Sequence, residues 1–185
     1  VGPLRFVQIS RRLSLQEQAT ALAAENPTVI TGCPSALDVI ATEMVTLGVH
    51  SPHPRVIVTR GEILRPQTRR LLEHAFQCVV IDFYSAEEIG LIAWQCPENE
   101  DVMHVEQDSC VVEIVNASGE PVSDGTEGDV VITNLFNRTM PIIRYRIGDT
   151  SEAVPRSVTN CKCRRVGLSI RAPFGRPDDF IHLPN

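Results

Sequence analysis

Apolar positions in the first half of the chain follow two alternating periods. Short runs rich in Val and Ile predict buried strands at residues 28–31, 55–59 and 78–83. The segments between them have the wider apolar spacing of amphipathic helices, at residues 35–48 and 66–76. Strands that alternate with helices predict a parallel sheet with right-handed crossovers, so we expect a βαβαβ unit here.

Polar residues and prolines set the expected helix starts. Ser14 and Glu17 form a capping-box pattern at the start of the first helix. Ser35 and Asp38 predict a second capping box for the next helix. Pro66 suits the first turn of the third helix, since proline fits best where no backbone N–H is needed.

Helical spacing disappears after residue 90. Short strand-like runs separated by turn formers lie at residues 91–95, 102–106, 110–115, 129–134 and 142–146. Closely spaced strands without intervening helices predict a small antiparallel barrel or sandwich. The predicted fold is therefore α/β plus β, with a parallel α/β subdomain over residues 1–90 and an antiparallel β-barrel-like subdomain over residues 91–174.

Composition narrows the classes of function. The 185 residues suffice for one well-buried domain or two small subdomains. The net charge is −6 and no long run of Lys or Arg occurs, which argues against nucleic acid or an anionic membrane as the partner. No apolar stretch approaches the ~20 residues of a membrane-spanning helix, and the start does not resemble a signal peptide. Because the chain starts at Val1 and not at Met, we expect it to be a piece of a longer one.

Residues 84–90 (YSAEEIG) are the most informative stretch. They follow the predicted strand 78–83, and ligands of open α/β sheets bind at the carboxyl ends of strands. The ring of Tyr84 could stack on a flat ligand, and a carboxylate could hold a hard cation such as Mg²⁺. Residues 60–62 follow a neighbouring strand, so we expect the two loops to border one pocket. The alternative for residues 84–90 is an acidic surface loop.

Three segments, taken in order, resemble motifs of one enzyme superfamily. Residues 84–90 are similar to Tyr-Gly-x-Thr-Glu, and residues 140–149 (MPIIRYRIGD) to Pro-x-x-Arg-Tyr-Arg-Thr-Gly-Asp. Residues 175–181 (GRPDDFI) are similar to Gly-Arg-x-Asp-Asp-x-Ile, and residues 125–131 (GTEGDVV) also fit. Over residues 14–185 the chain therefore resembles the adenylate-forming superfamily, in particular its phenylacetate–coenzyme A ligase branch.

The resemblance implies a nucleotide site. Tyr84 would stack on adenine, and Glu88 would act in catalysis by holding Mg²⁺ between the ATP phosphates. Ser85, where the family usually has Gly, would lie beside the nucleotide. Asp149 would accept hydrogen bonds from the ribose hydroxyls. The residue pattern alone leaves Asp149 open as a turn residue and Arg146 as a solvated strand residue.

The resemblance also implies roles for two further segments. Arg176 would act in catalysis by approaching the phosphate or ribose region. Asp178 would be the hinge of the segment 175–185, about which a small C-terminal domain swings between half-reactions. Gly61 and Glu62 would border adenine and the acyl substrate.

The implied function is that of an acyl–coenzyme A ligase. With ATP and Mg²⁺ it would adenylate a carboxylic acid, an aryl or arylacetic acid at the level of the family, and then transfer the acyl group to coenzyme A. The family's phosphate-binding loop and catalytic Lys have no counterpart here, since the only lysine, Lys162, lies between two cysteines. We therefore expect a fragment of the large N-terminal domain that alone is inactive or only very weakly active. Its partners would be the missing N-terminal half and C-terminal domain, and a homodimer is left open.

Cysteine and histidine positions predict a second site. Cys96, His104, Cys161 and Cys163 offer three thiolates and one imidazole, the ligand set of a closed structural zinc site. The alternative is free thiols on a surface loop. A disulfide between Cys161 and Cys163 is not expected, since so short a ring would be strained. A zinc-stabilised interaction domain without catalytic function, and a nucleotide-binding module unrelated to ligases, are the rival functions. The modest cysteine density favours a reducing, cytoplasmic setting.

Overall fold

The computed structural model of the chain describes residues 4–49, 51–155 and 162–176. The chain forms two compact units, Val1–Val80 and Ile81–Asn185. No helix within the described ranges has the length and apolar character needed to cross a membrane. The predicted subdomain boundaries and the hinge segment stay predictions.

The first unit alternates helices and strands in the predicted order. Its elements are α1 (Leu15–Glu25), β1 (Val29–Gly32), α2 (Pro34–Leu47), β2 (Val56–Arg60) and α3 (Pro66–Phe76), followed by the start of β3 (Val79–Ala86). Strands β1 and β2 pair in parallel, with Ile30 beside Ile57. Residues of the three helices and of the strands share one core, which includes the fully buried Leu72 and Phe76.

Two of the three predicted helix starts are confirmed. The Ser14 hydroxyl accepts a hydrogen bond from the Glu17 backbone N–H, and the Glu17 carboxylate accepts one from the Ser14 backbone N–H, as in a capping box. Pro66 is the first residue of α3. The second capping box is wrong, because α2 already begins at Pro34 and Ser35 therefore lies inside its first turn.

The second unit is built from antiparallel strands. They are β3, β4 (Gly90–Cys96), β5 (Asn99–Val105), β6 (Cys110–Val115), β7 (Glu127–Asn134), β8 (Tyr145–Glu152) and β9 (Ser169–Ile170). Strands β3, β4, β5 and β9 pair in that order, whereas β6, β7 and β8 form a separate sheet. Residues of both sheets share one core, which includes Ile92, Val130 and Ile170. This mixture of parallel and antiparallel pairing agrees with the predicted fold class. Within the described ranges no strand pairing closes a barrel, so the barrel stays a prediction.

Two predicted strand boundaries are wrong. Strand β3 continues through residues 84–86, which pair with β4, so the stretch expected to be a loop is mostly strand. The strand expected at residues 142–146 begins only at Tyr145. Arg144 has a positive φ of 48°, which interrupts extended backbone just before it. As a result Asp149 lies inside β8 and not in a turn that follows a strand.

Candidate functional site

Tyr84 and Asp149 contact each other within the second unit. Tyr84 lies on β3, opposite Ala93 of β4. Its hydroxyl donates a hydrogen bond of 2.7 Å to Asp149 Oδ2, although the two residues are 65 positions apart in the sequence. A hydrogen bond to a carboxylate at this distance is charge-assisted and strong for its class. The structure therefore brings together one residue from each of the first two motifs.

A bulge in β8 aims Asp149 at this contact. The ladder between β7 and β8 shifts register between Asp129 and Val131, so residues 147–149 leave the regular pairing. Gly148, within this bulge, has a φ of 93°, a left-handed conformation that glycine adopts without steric cost. Extra residues on one strand bend it and re-aim its side chains. The glycine before Asp149 thus has a local structural reason.

Arg176 approaches the same carboxylate from another segment. The Thr150 N–H donates to the Gly175 carbonyl at 3.2 Å, and the Phe174 N–H donates to the Thr150 carbonyl at 3.0 Å. This pairing with β8 brings Arg176 Nε to 3.5 Å from Asp149 Oδ1. The Arg176 side chain is 59% exposed and that of Asp149 is 17% exposed. An ion pair this open adds little to stability, and its effect is to place a positive charge beside the carboxylate.

Burial and Asp149 keep the Tyr84 phenol neutral. Burial is the largest cause of its raised pKa, followed by the hydrogen bond to Asp149 and the negative charge of that carboxylate. The positive charge of Arg176 lowers the pKa, but by less. At neutral pH Tyr84 is thus a hydrogen-bond donor toward Asp149. Since each carboxylate oxygen has two lone pairs, Asp149 keeps acceptor capacity for a ligand.

The hairpin of β3 and β4 also carries Ser85 and Glu88. Ser85 is half-buried and pairs with Leu91 across the hairpin. Glu87 and Glu88 lie on the turn and are exposed. Within the described part of the chain no side chain forms a hydrogen bond or ion pair with the Glu88 carboxylate. The roles of Ser85 and Glu88 toward a nucleotide or Mg²⁺ stay predictions.

Glu62, predicted to border a ligand, contacts a helix start in the first unit. Its carboxylate accepts hydrogen bonds from the Ser35 backbone N–H at 3.0 Å and from the Ser35 hydroxyl at 2.9 Å. The N-cap residue of α2, Cys33, makes no side-chain hydrogen bond to this helix. Glu62 therefore caps the N-terminus of α2 from the loop that follows β2. Gly61, just before it in this loop, has a φ of 81°. The predicted position of Gly61 and Glu62 beside adenine stays a prediction.

Removing this cap should destabilise the first unit. We expect Glu62→Ala to lower the free energy of unfolding by about 1 kcal/mol, because it removes an acceptor and a negative charge from a helix N-terminus. Urea denaturation measures the change. Glu43→Ala is the matched control, because Glu43 lies on the same helix and its carboxylate forms no hydrogen bond or ion pair with another described residue. It should change the free energy of unfolding by less than about 0.5 kcal/mol. Equal effects of the two substitutions would show that the Glu62–Ser35 contact has no capping role.

Cys96, His104 and Cys163 come together in the second unit. Their ligand atoms all lie within 4.8 Å of one another. Cys163 Sγ is 3.2 Å from His104 Nε2. Cys96 and His104 are buried and Cys163 is half-buried. The structure therefore unites three of the four predicted zinc ligands, whereas Cys161 lies outside the described residues, as does Asp178.

Ser169 is a partner of this cluster that was not predicted from the sequence. Ser169 is buried, and its hydroxyl oxygen is 3.1 Å from His104 Nδ1. The two residues are neighbours in the ladder between β5 and β9. Burial lowers the pKa of His104, and the charge of Arg165 adds to this shift, so the imidazole is neutral at pH 7. The only hint in the sequence was a polar residue inside the short apolar run at residues 166–170.

The arginines of the second motif have structural partners. Arg146 pairs with Asp129 and donates a hydrogen bond of 3.0 Å to the carbonyl of Asn116. Arg144 pairs with Glu113 at 3.1 Å. These contacts tie β8 to β6, β7 and the turn that follows β6. Arg146 is therefore a bridging residue and not simply a solvated one.

Comparison with known proteins gives two kinds of relatives. No protein-family model matches the chain. Phenylacetate-coenzyme A ligase of Pseudomonas putida is 27% identical over 172 residues, which cover 90% of this chain and 38% of that enzyme. The enzyme of the same name from Escherichia coli (strain K12) is 31% identical over 130 residues, 69% of this chain and 28% of the enzyme. The chain thus spans well under half the length of the curated relatives that it matches.

Solved structures of acyl-CoA ligases have the same fold over this region. A 2-hydroxyisobutyryl-CoA ligase, solved in the postadenylation state, superposes with a TM-score of 0.78 at 23% identity. The match covers 91% of this chain and 37% of that structure. A benzoate CoA ligase from Burkholderia xenovorans LB400 gives a TM-score of 0.63 at 20% identity, over 89% of this chain and 34% of the structure. At these identities the likeness establishes the fold.

Proposed function

Because the chain belongs to the phenylacetate–coenzyme A ligase-like branch of the adenylate-forming superfamily, we propose that it is part of an ATP-dependent acid–coenzyme A ligase. The enzyme adenylates a carboxylic acid and then transfers the acyl group to coenzyme A. The remaining parts of a longer polypeptide complete the site. A reducing, cytoplasmic setting belongs to this proposal, and the free thiols of Cys33, Cys78 and Cys110 agree with it.

The convergence of Tyr84, Asp149 and Arg176 carries this proposal. The three side chains come from three separate motifs. Tyr84 and Arg176 each contact the Asp149 carboxylate, Tyr84 at one oxygen and Arg176 at the other. A carboxylate already held by a phenol on one oxygen and an arginine on the other is fixed in orientation. A vicinal diol such as that of ribose can then donate to its remaining lone pairs at little cost in ordering. Arg176, being largely exposed, is available to a phosphate group.

The residues present also fit a magnesium–nucleotide complex. Glu88 offers an exposed carboxylate on the turn that follows Tyr84. Mg²⁺ prefers oxygen ligands, keeps several waters and binds through one or two carboxylates together with substrate phosphates. When bound, the cation would offset negative charge that develops at the α-phosphate. Arg176 would add to this from the side of Asp149.

The proposed acid is an aryl or arylacetic acid. Support comes from the names of the curated relatives, which are phenylacetate-coenzyme A ligases. The neighbours of known structure include a benzoate and an anthranilate CoA ligase, but also a 2-hydroxyisobutyryl-CoA ligase. An acid panel that contains phenylacetate, benzoate and 2-hydroxyisobutyrate therefore separates aromatic from small aliphatic substrates.

Acid-dependent exchange of pyrophosphate into ATP by the complete polypeptide tests the proposed function. We expect exchange with an aromatic acid, and Glu88→Gln should lower it by about tenfold or more and raise the Mg²⁺ concentration that is needed, because one anionic ligand becomes neutral. Glu87→Gln, on the same turn and also exposed, is the matched control and should retain activity near that of the wild type. Equal losses in the two variants would remove Glu88 from the site, and no exchange with any acid would contradict the ligase proposal.

The cluster of Cys96, His104 and Cys163 favours a second candidate function. A domain that keeps this fold for interaction, stabilised by a metal and without catalysis, needs the cluster but not the residues around Asp149. A complete polypeptide that binds metal yet neither binds AMP nor catalyses exchange would support this second candidate over the ligase.

A further inference from the structure

We infer that Cys96, His104 and Cys163 form a structural metal site that selects zinc, and that Ser169 orients its imidazole ligand. This site is separate from the residues around Asp149 and does not depend on the proposed ligase function. Three segments supply it: the end of β4, the end of β5 and the segment that precedes β9.

The distances suit one tetrahedral ion. With zinc–sulfur bonds of about 2.3 Å and zinc–nitrogen bonds of about 2.0–2.1 Å, two ligand atoms lie roughly 3.6–3.8 Å apart. The three ligand atoms here are all within 4.8 Å of one another, and Cys163 Sγ is 3.2 Å from His104 Nε2. Changes of up to about 1 Å in these separations therefore bring the three ligand atoms to one centre. Two thiolates and an imidazole are soft to borderline ligands, which favour zinc over Mg²⁺ or Ca²⁺.

Hydrogen bonds around the cluster already orient the ligands. The Ser169 hydroxyl oxygen lies 3.1 Å from His104 Nδ1, and Cys163 Sγ lies 3.2 Å from Nε2. In the tautomer that binds a metal through Nε2, Nδ1–H donates to the serine hydroxyl. Metal-bound histidines are commonly held in this way by a partner on the other ring nitrogen. The Glu98 backbone N–H donates to Cys96 Sγ at 3.4 Å, which stabilises a thiolate.

Burial indicates a structural site and not a catalytic one. Cys96 is 0% exposed and His104 is 4% exposed. Cys96 and Cys163 pack with Val102 and Val154 in a small hydrophobic cluster of their own. Apolar surroundings keep water and substrate away from Cys96 and His104, as expected of a structural site. The metal would hold the segment at residue 163 against the β4–β5 hairpin.

A neighbouring contact supports this placement of the segment. The Arg165 guanidinium lies 4.4 Å from the centre of the Trp94 ring, and that ring is 5.2 Å from the His104 ring. Trp94 and His104 are paired residues of the β4–β5 ladder. The same segment continues through β9 toward Gly175, which pairs with Thr150 of β8. The metal would therefore stabilise the chain that leads to Arg176.

Zinc content and cobalt spectroscopy of the purified full chain test the inference. After incubation with excess Zn²⁺ and desalting, we expect about one ion per chain, as for a single tetrahedral site. The Co²⁺ form should show thiolate charge-transfer bands and the intense d–d bands of tetrahedral coordination. Cys163→Ser should abolish stoichiometric binding, whereas Cys33→Ser, a half-buried thiol of the first unit, should leave it unchanged.

Ser169→Ala keeps the three proposed metal ligands. It therefore tests the orientation of the His104 imidazole separately from the folding of the chain. We expect it to weaken zinc affinity by about 10–100-fold, with a tetrahedral Co²⁺ spectrum retained. Zinc should also raise the Tm of the wild type by mass action, since the unfolded chain lacks the assembled site. A folded wild-type chain that retains no zinc and gives an octahedral Co²⁺ spectrum would overturn the site. Unchanged affinity in Ser169→Ala would overturn the role of Ser169. Because none of these readouts uses a nucleotide or an acid, failure here leaves the ligase proposal untouched.

Discussion

Asp149→Ala should weaken AMP binding by about 10²–10⁴-fold, since two hydrogen bonds to a charged group are worth about 1.5–3 kcal/mol each. In the proposed site the two ribose hydroxyls donate to this carboxylate. Isothermal titration of the complete polypeptide with AMP measures the loss. Pyrophosphate exchange should fall in parallel, because both the ATP complex and the acyl adenylate contain the same ribose.

A structural explanation for such a loss has to be separated from a binding one. Asp149 also accepts the Tyr84 hydroxyl and faces Arg176, so its removal leaves a largely buried phenol without this acceptor. Titration with 2′,3′-dideoxy-AMP makes the distinction. The wild type should prefer AMP strongly over the dideoxy analogue, and Asp149→Ala should lose this preference. If the variant still discriminates between the two ligands, Asp149 does not bind the ribose.

Tyr84→Phe is the matched control for this experiment. It removes the hydroxyl but keeps the ring that is proposed to stack on adenine. We expect the preference for AMP over the dideoxy analogue to persist. Affinity should fall by about tenfold or less, because binding must then order the Asp149 side chain, at a cost of about 0.5–1.5 kcal/mol. A loss as large as that of Asp149→Ala would mean that the phenol itself binds the ligand.

Local patterns predicted the first unit well because its elements depend on neighbours in sequence. The capping box of Ser14 and Glu17 acts within one helical turn. The short apolar runs of Val and Ile in β1 and β2 indicate buried strands without reference to distant residues. The start of α2 was misplaced because its cap, Glu62, comes from a loop 27 residues away. The start of β8 was misplaced because Arg144 has a positive φ, which no local sequence pattern signals for an arginine.

The two candidate sites differ in how far sequence could predict them. Tyr84 and Asp149 were paired only through the resemblance, since no local pattern links residues that far apart. Cys96 and His104 have a spacing that is odd for a zinc finger. The β4–β5 hairpin explains this spacing. His104 lies opposite Trp94 in the ladder, and Cys96 is two residues further along β4, so both side chains are on one face of the hairpin. The sequence signal of Ser169 was weak, a polar residue inside a short apolar run, because strand β9 is only two residues long.

Gly128→Ala should destabilise the second unit by about 3 kcal/mol, near the upper end for overpacking a core, because the obstacle is backbone. A Cβ at this position would lie 2.5 Å from the Val115 carbonyl oxygen and 3.0 Å from Ile114 Cγ2. The Val115 carbonyl belongs to β6, whose ladder with β7 leaves it little freedom to move. Gly128, the second glycine of the motif at residues 125–131, is thus explained by close approach of two strands.

Gly32→Ala is the matched control, because Gly32 also lies in a strand and its φ is not in the left-handed region. Its Cβ would lie 3.3 Å from Leu37 Cγ, an atom of a flexible side chain that can shift. We expect a change of less than about 1 kcal/mol, and a lower entropy of the unfolded chain offsets part of the steric cost. Urea denaturation of both variants, monitored by a probe of the second unit such as Trp94 fluorescence, measures the difference in the free energy of unfolding. Equal stability of the two variants would contradict the steric account. A loss of stability in Gly128→Ala alone would support the carbonyl of Val115 as the obstacle. Val115 lies on β6 beside β7, and β7 pairs with β8, the strand that carries Asp149.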